Sequence, residues 1–180
     1  GIFLYFYDPY QEVAVGLKSF LKDFSISIKL DIEETKKPQF SQKKVQSTNL
    51  EYSFNLFVPA ISVNDSRVNS TRLEMINRSV NRGDTDGPDV AIDTTETVYF
   101  LLSNLITNGK YNNRKSIKTA GNIKAYGLPC FLQTFSFSVE KEMGFFEFDS
   151  RLFPKVYSAS FKLNVLNSVA DPFDAANSKT

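Results

Sequence analysis

Residues Gly127 to Leu166 read GLPCFLQTFSFSVEKEMGFFEFDSRLFPKVYSASFKLNVL, two alternating segments around a turn-rich aromatic linker. In the first segment Phe131, Phe135, Phe137 and Val139 fall on one face, and Leu132, Thr134, Ser136 and Ser138 on the other, with Gln133 as a polar intruder. In the second, Tyr157, Ala159, Phe161, Leu163 and Val165 oppose Ser158, Ser160, Lys162 and Asn164. Successive side chains of a strand point to opposite faces, so sorted apolar and polar sets mean a strand covered on one side. The stretch therefore predicts two half-buried antiparallel strands.

The same period recurs upstream. Phe24, Ile26, Ile28, Leu30 and Ile32 alternate with Ser25, Ser27, Lys29 and Asp31, which predicts a strand with the apolar set inward. After the polar, lysine-bearing EETKKPQFSQKKVQSTN, Leu50, Tyr52, Phe54, Leu56 and Val58 alternate with Glu51, Ser53 and Asn55. These two strands pair as a hairpin with a long protruding tip, from about Leu30 to Tyr52. Pro59 ends the second, because it offers no amide hydrogen to a ladder. Ser62 with Asp65 three residues on forms a helix start, and Val68, Leu73, Met75 and Ile76 give an apolar stripe to about Arg78. The segment NRGDTDGPDVAIDTT then reads as a surface excursion. Thr97 to Thr107 is apolar on both faces, as a central strand, a strand at a subunit contact or a short helix would be. Lys110 to Lys124 is a basic loop with five cations and no acid, and the last residues have the composition of a tail.

The fold class expected is mainly β: an antiparallel β-sandwich or partly closed barrel with one flanking α-helix and a long protruding hairpin. The expected division is an N-terminal arm over 1–23, a β domain over 24–166 and a C-terminal tail over 167–180. A chain of 180 residues suits one domain with a sizeable core. Its 17 Phe and 8 Tyr, beside no Trp and no His, suit pleated surfaces and subunit contacts. The lack of His removes the commonest general base and metal ligand. A net charge of +1 gives no global case for nucleic-acid or membrane binding, and no segment has the apolar length to span a bilayer. GIFLYFY lacks the basic lead-in and cleavage site of a signal peptide.

Little of this sequence points to chemistry. Glu140, Glu142, Glu147 and Asp149 surround the aromatic linker, but glycoside hydrolysis needs a carboxylate pair in unlike environments, and solvated turn charges explain them more simply. Asp84, Asp86, Asp89 and Asp93 miss the spacing of an EF-hand loop. Arg82-Gly83-Asp84 and three Asn-X-Ser/Thr triplets, at Asn64, Asn69 and Asn77, are short enough to arise by chance. Cys130, the single cysteine, reads as a small core residue. No cofactor or metal is expected, and no enzymatic activity. Arg114, Lys115 and Lys118, with Tyr111 and Tyr126 nearby, fit either a phosphate backbone or an acidic patch on a neighbouring subunit. Lys36, Lys37, Lys43 and Lys44 keep the hairpin tip soluble.

Four blocks in order, LEYSFNLFVPAISVNDSRVNSTRLEMINR, VYFLLSNLI, LPCFLQTFSFSVEKEMGFF and LFPKVYSASFKLNVL, resemble the tube-forming baseplate hub proteins of contractile-tailed bacteriophages. The positions carrying the resemblance are Asn104, Leu105 and Ile106, then Gly144, Phe145 and Phe146, then Phe153, Pro154 and Lys155. It covers about Phe24 to Leu166. The resemblance implies a tail-tube fold in the virion, assembled in the host cytoplasm, without catalytic residues. It implies a ring of copies that continues the channel for DNA, with adjacent tail-tube, baseplate hub and tape-measure proteins as partners. Exposed strand edges and the hairpin arm would join protomers. Phe145, Phe146, Phe148 and Phe153 are the candidate anchors, although the same residues would serve equally as intramolecular core. A sheet-based module binding nucleic acid or another polymer through the loop 110–124 is the alternative reading.

Overall fold

In the computed structural model, Phe161 meets the rings of three other strands. Its centroid lies 4.8 Å from Phe54, 4.9 Å from Phe135 and 5.7 Å from Phe100. The structure describes residues 1–37, 40–80, 97–110, 117 and 119–165; the side chains of 30–48 lie outside that description. The strands are β1 (Ile2–Asp8), β2 (Val13–Lys37), β3 (Phe40–Pro59), β4 (Val98–Leu102), β5 (Leu128–Val139), β6 (Phe145–Phe148), β7 (Arg151–Pro154) and β8 (Val156–Val165). Six of them close into a barrel in the order β1-β2-β3-β8-β5-β4, with every pairing antiparallel. Closure gives the paired stretches no lateral edge.

Alternation decides which residues fill the barrel. Leu4 and Phe6 of β1, Val15 and Leu17 of β2, Phe54, Leu56 and Val58 of β3, and Ala159, Phe161 and Leu163 of β8 are all buried. Residues 1–23 are therefore not an arm: they supply β1 and the first part of β2, two walls of the barrel. The predicted alternation of 157–165 holds from Tyr157 to Leu163 and fades at Val165, which is half-buried. In β5 it needs correction, since the register shifts between Leu132 and Thr134 and leaves Gln133 as the extra residue of a bulge. Leu128, Cys130 and Leu132 point inward before it and Phe135 after it, so Phe131 lies outside the buried row to which it was assigned. A sandwich is not what the sheet forms.

The helix after Pro59 is α1 (Val63–Val80). Asp65 N donates to Ser62 Oγ at 3.1 Å, which satisfies a free amide of the first turn, and Ile61 N donates to Asp65 Oδ2 at 3.3 Å, which ties down the residue before the cap. Leu73 and Ile76 are fully buried and join the barrel core. Because α1 packs against both β2 and β5, which sit three places apart in the ring, it crosses a mouth of the barrel. Two polar side chains fix it there: Ser66 Oγ donates to Pro154 O at 2.7 Å and Asn69 Nδ2 to Pro59 O at 3.0 Å. Asn69 is thus buried and committed, which removes it as a glycosylation acceptor.

Part of the expected basic loop is a second helix, α2 (Ala120–Tyr126), which packs against β1 and β4. Thr119 Oγ1 accepts from Asn122 N at its start, and Gly127 N donates to Ile123 O at its end. A Cβ at Gly127 would fall 2.5 Å from Ile123 O and 3.2 Å from Phe100 O. No helix among the described residues is long and apolar enough to cross a membrane. Overpacking should make Gly127→Ala cost about 1–3 kcal/mol. In Gly121→Ala the new methyl meets nothing closer than 3.8 Å, and a helical Gly gives way to a better helix former, a gain of up to about 1 kcal/mol. Urea denaturation of the two variants should shift in opposite directions.

Candidate assembly surfaces

Among the described residues, two of the regions that leave apolar side chains exposed bear on assembly. The first is where β2 and β3 outrun their neighbours. Pairing with β1 reaches Ile2 and Ser19, pairing with β8 reaches Leu50 and Val165, and beyond these, among the described residues, β2 and β3 pair only with each other as far as Lys37 and Phe40. A shift between Leu21 and Asp23 resets the parity of β2, so Phe24 continues the core row and meets Phe54 and Tyr52 at ring separations of 6.4 and 6.0 Å. The next two members of the row were expected inward and are not. Ile26 is 52% exposed and Ile28 65% exposed, because among the described residues no opposite wall extends this far. Burial of Tyr52 pushes its phenol pKa up, so the ring stays neutral.

The second region is the linker, which is structured. A 3₁₀ turn (Lys141–Met143) leads into β6, and β6 pairs with β7 through a two-residue turn. Asp149 and Ser150 there have φ of 52° and 55°, the left-handed pair of a type I′ hairpin. Directly paired residues share a face, so Phe146, Phe153, Phe148 and Arg151 form one side and Phe145, Pro154, Glu147 and Leu152 the other. The first side meets α1: the Arg67 guanidinium lies 4.7 Å from the Phe153 ring centre and 6.0 Å from that of Phe148. Lys155 Nζ sits 5.5 Å from the ring of Phe146. The other side is open, with Phe145 38% and Leu152 64% exposed, and Met143 is exposed beside it.

The four candidate phenylalanines thus divide. Phe146 and Phe153 are half-buried beneath cations, which is an intramolecular role. Phe145 and Phe148 are exposed, Phe148 despite its contact with Arg67. Leu152 and Met143 were missed; only the pairing of β6 with β7 reveals that Leu152 shares a face with Phe145. Lys36, Lys37, Lys43 and Lys44 are placed by backbone register alone, opposite Ser41, Phe40, Glu34 and Glu33. Arg114, Lys115 and Lys118 lie outside the described residues, as do the acidic excursion with its Arg82-Gly83-Asp84 triplet and the tail.

The remaining chemistry is quiet. Glu142, Glu147 and Asp149 are exposed, and no group of three potential metal ligands occurs among the described residues. A cleft between α2 and the β1–β2 wall is lined, among the described residues, by Tyr5, Ala14, Gly16, Ile117, Thr119 and Ile123, none of which carries a carboxylate, a cation or a thiol. Glu51 and Lys162 pair at 3.3 Å across β3 and β8. Cys130 is fully buried, and desolvation pushes its thiol far above the ordinary range.

Two measurements check these assignments. Leu152→Ser, at an exposed position, should change unfolding free energy by less than about 0.5 kcal/mol. Phe153→Ala should cost upward of about 1 kcal/mol, since it removes both packing and the Arg67 contact. Because only a thiolate is alkylated and burial holds Cys130 in the thiol form, iodoacetamide at mildly alkaline pH should leave the folded chain unmodified and label it in urea. Neither a protein-family model nor a curated protein sequence matches this chain.

Proposed function

We propose that the chain is a structural subunit of a phage tail, forming a ring of the baseplate hub or tail tube that continues the DNA channel. The observation that carries this reading is the overhang of β2 and β3 with Ile26 and Ile28 uncovered. A two-stranded ribbon is marginal in water by itself, and a long apolar edge is a template for further pairing. A sequence that keeps both features supports a protein whose final fold includes a neighbour. The ribbon is the inter-subunit arm of this reading, and Phe145 and Phe148 are its exposed aromatic anchors. The family resemblance supplies the tail as the setting, with adjacent tube and hub proteins as axial partners and DNA only in transit.

Electron microscopy and sedimentation of the purified chain should give closed rings or short tubes. Ile28→Lys should leave a folded monomer, with circular dichroism unchanged. A parent chain that stays monomeric at micromolar concentration would refute the assembly reading.

A further inference from the structure

Beyond Ser19 one edge of β2 has lost β1 while the other still pairs with β3, so among the described residues its outward amides and carbonyls meet no ladder. That stretch is open on both faces as well. Of residues 21–29 only Phe24 is half-buried, and the others are exposed. An edge of this kind accepts a further strand, and the side chains along it decide which strand fits.

From Asp23 to Lys29 the strand is complementary to itself. Phe24, Ile26 and Ile28 share one face, and Asp23, Ser25, Ser27 and Lys29 the other, where Asn55 Nδ2 donates to Asp23 Oδ2 at 3.1 Å. Two copies laid antiparallel about a two-fold axis through Ile26 set Ile26 against Ile26, Phe24 against Ile28 and Asp23 against Lys29. A two-fold axis normal to the sheet keeps each row on its own side, so the axis must pass through a residue and not between two. An axis through Ser27 sets Asp23 against Asp31, and one through Ile28 sets it against Glu33. An axis through Ser25 leaves Asp23 opposite Ser27 and brings Lys29 to Leu21, at the register shift. The axis through Ile26 is the one that pairs both charges with their opposites, and it does so twice.

We infer that free copies of the chain pair through this edge as an isologous dimer, with Asp23–Lys29 of one β2 laddered antiparallel to the same residues of the other. The result is a four-stranded sheet in the order β3-β2-β2-β3, with the isoleucines in one row across it. The neighbour's β1 takes up the same edge from Ser19 onward, which bounds the ladder, and the register shift between Asp31 and Ile32 lies where each ribbon must bend past it. The pairing goes beyond the ring reading. A two-fold contact stops at two copies and occupies the ribbon that a ring would use, so dimers would have to open before a ring closes.

Cross-linking and sedimentation velocity test the register. A short bismaleimide should join Ile26→Cys to its own copy, because the two cysteines face each other across the axis, while Cys130 is buried and does not compete. Lys29→Cys should not link to itself, since its two copies lie roughly 20 Å apart along the ladder, but should link to Asp23→Cys when the two variants are mixed. Lys29→Asp should weaken dimerisation roughly fivefold or more, and adding Asp23→Lys to the same chain should restore it, with circular dichroism to verify that each variant is folded. Failure of Ile26→Cys to link, self-linking of Lys29→Cys, or no recovery by the double exchange overturns the pairing, and rings seen beside any of these leave the ring reading standing. Dimers that pass these tests without rings at any concentration remove the ring reading alone. A chain that stays monomeric removes both.

Discussion

The contact of Phe161 with Phe54, Phe135 and Phe100 is the constraint on which the barrel depends. These rings come from four different strands, and their pairwise geometries range from stacked to edge-on, the arrangements that aromatic quadrupoles favour. Phe6 extends the cluster as the direct cross-strand partner of Phe100, with ring centroids 5.1 Å apart. A core of this kind fixes register, because a one-residue slip of β3, β5 or β8 would turn its ring to solvent and bring a polar neighbour such as Ser53, Ser136 or Ser160 inward. The register shifts between Leu21 and Asp23 and between Leu132 and Thr134 are compatible with the cluster because each returns the apolar row to the inside.

That logic also marks where burial stops. The row through Phe54, Phe24, Ile26 and Ile28 is continuous in the sheet, yet among the described residues only its first members have an opposite wall. Periodicity reports which side chains share a face; it carries no information on how far the covering layer extends. For this reason the alternation of β3 from Phe54 to Val58 and of β8 from Tyr157 to Leu163 was legible, as was the placement of α1 from Ser62, Asp65, Leu73 and Ile76, while the burial of Glu51 and the exposure of Ile26 and Ile28 were not.

Other features were hidden for local reasons. The opening IFLYFY is apolar on both faces because Phe3, Tyr5 and Tyr7 carry an outward aromatic row, with Phe3 stacked on Tyr5 and Tyr7 beside Tyr99. A period of two is invisible when both faces are apolar, and β1 was taken for an arm. In β5 one polar residue out of phase was the visible trace of a bulge, which only the ladder to β8 identifies as one. The seven residues of α2 are too few for a helical period to emerge from a lysine-bearing stretch, although Thr119 and Gly127 stand at its ends. The division of the linker phenylalanines depends on the partnership with Arg67, some eighty positions away in the chain, which no local pattern contains.

The seam between β1 and β4 bears on how the chain folds. Leu4 opposite Leu102 and Tyr7 opposite Tyr99 join segments separated by more than ninety positions, whereas β1, β2 and β3 are linked through consecutive hairpins. Loop-closure entropy makes such distant pairings slow, so the hairpins form early and the barrel is sealed late. Between those events the outer edge of β1 is open to intermolecular pairing, and the rate of seam closure sets how much newly made chain reaches a neighbour as a finished barrel.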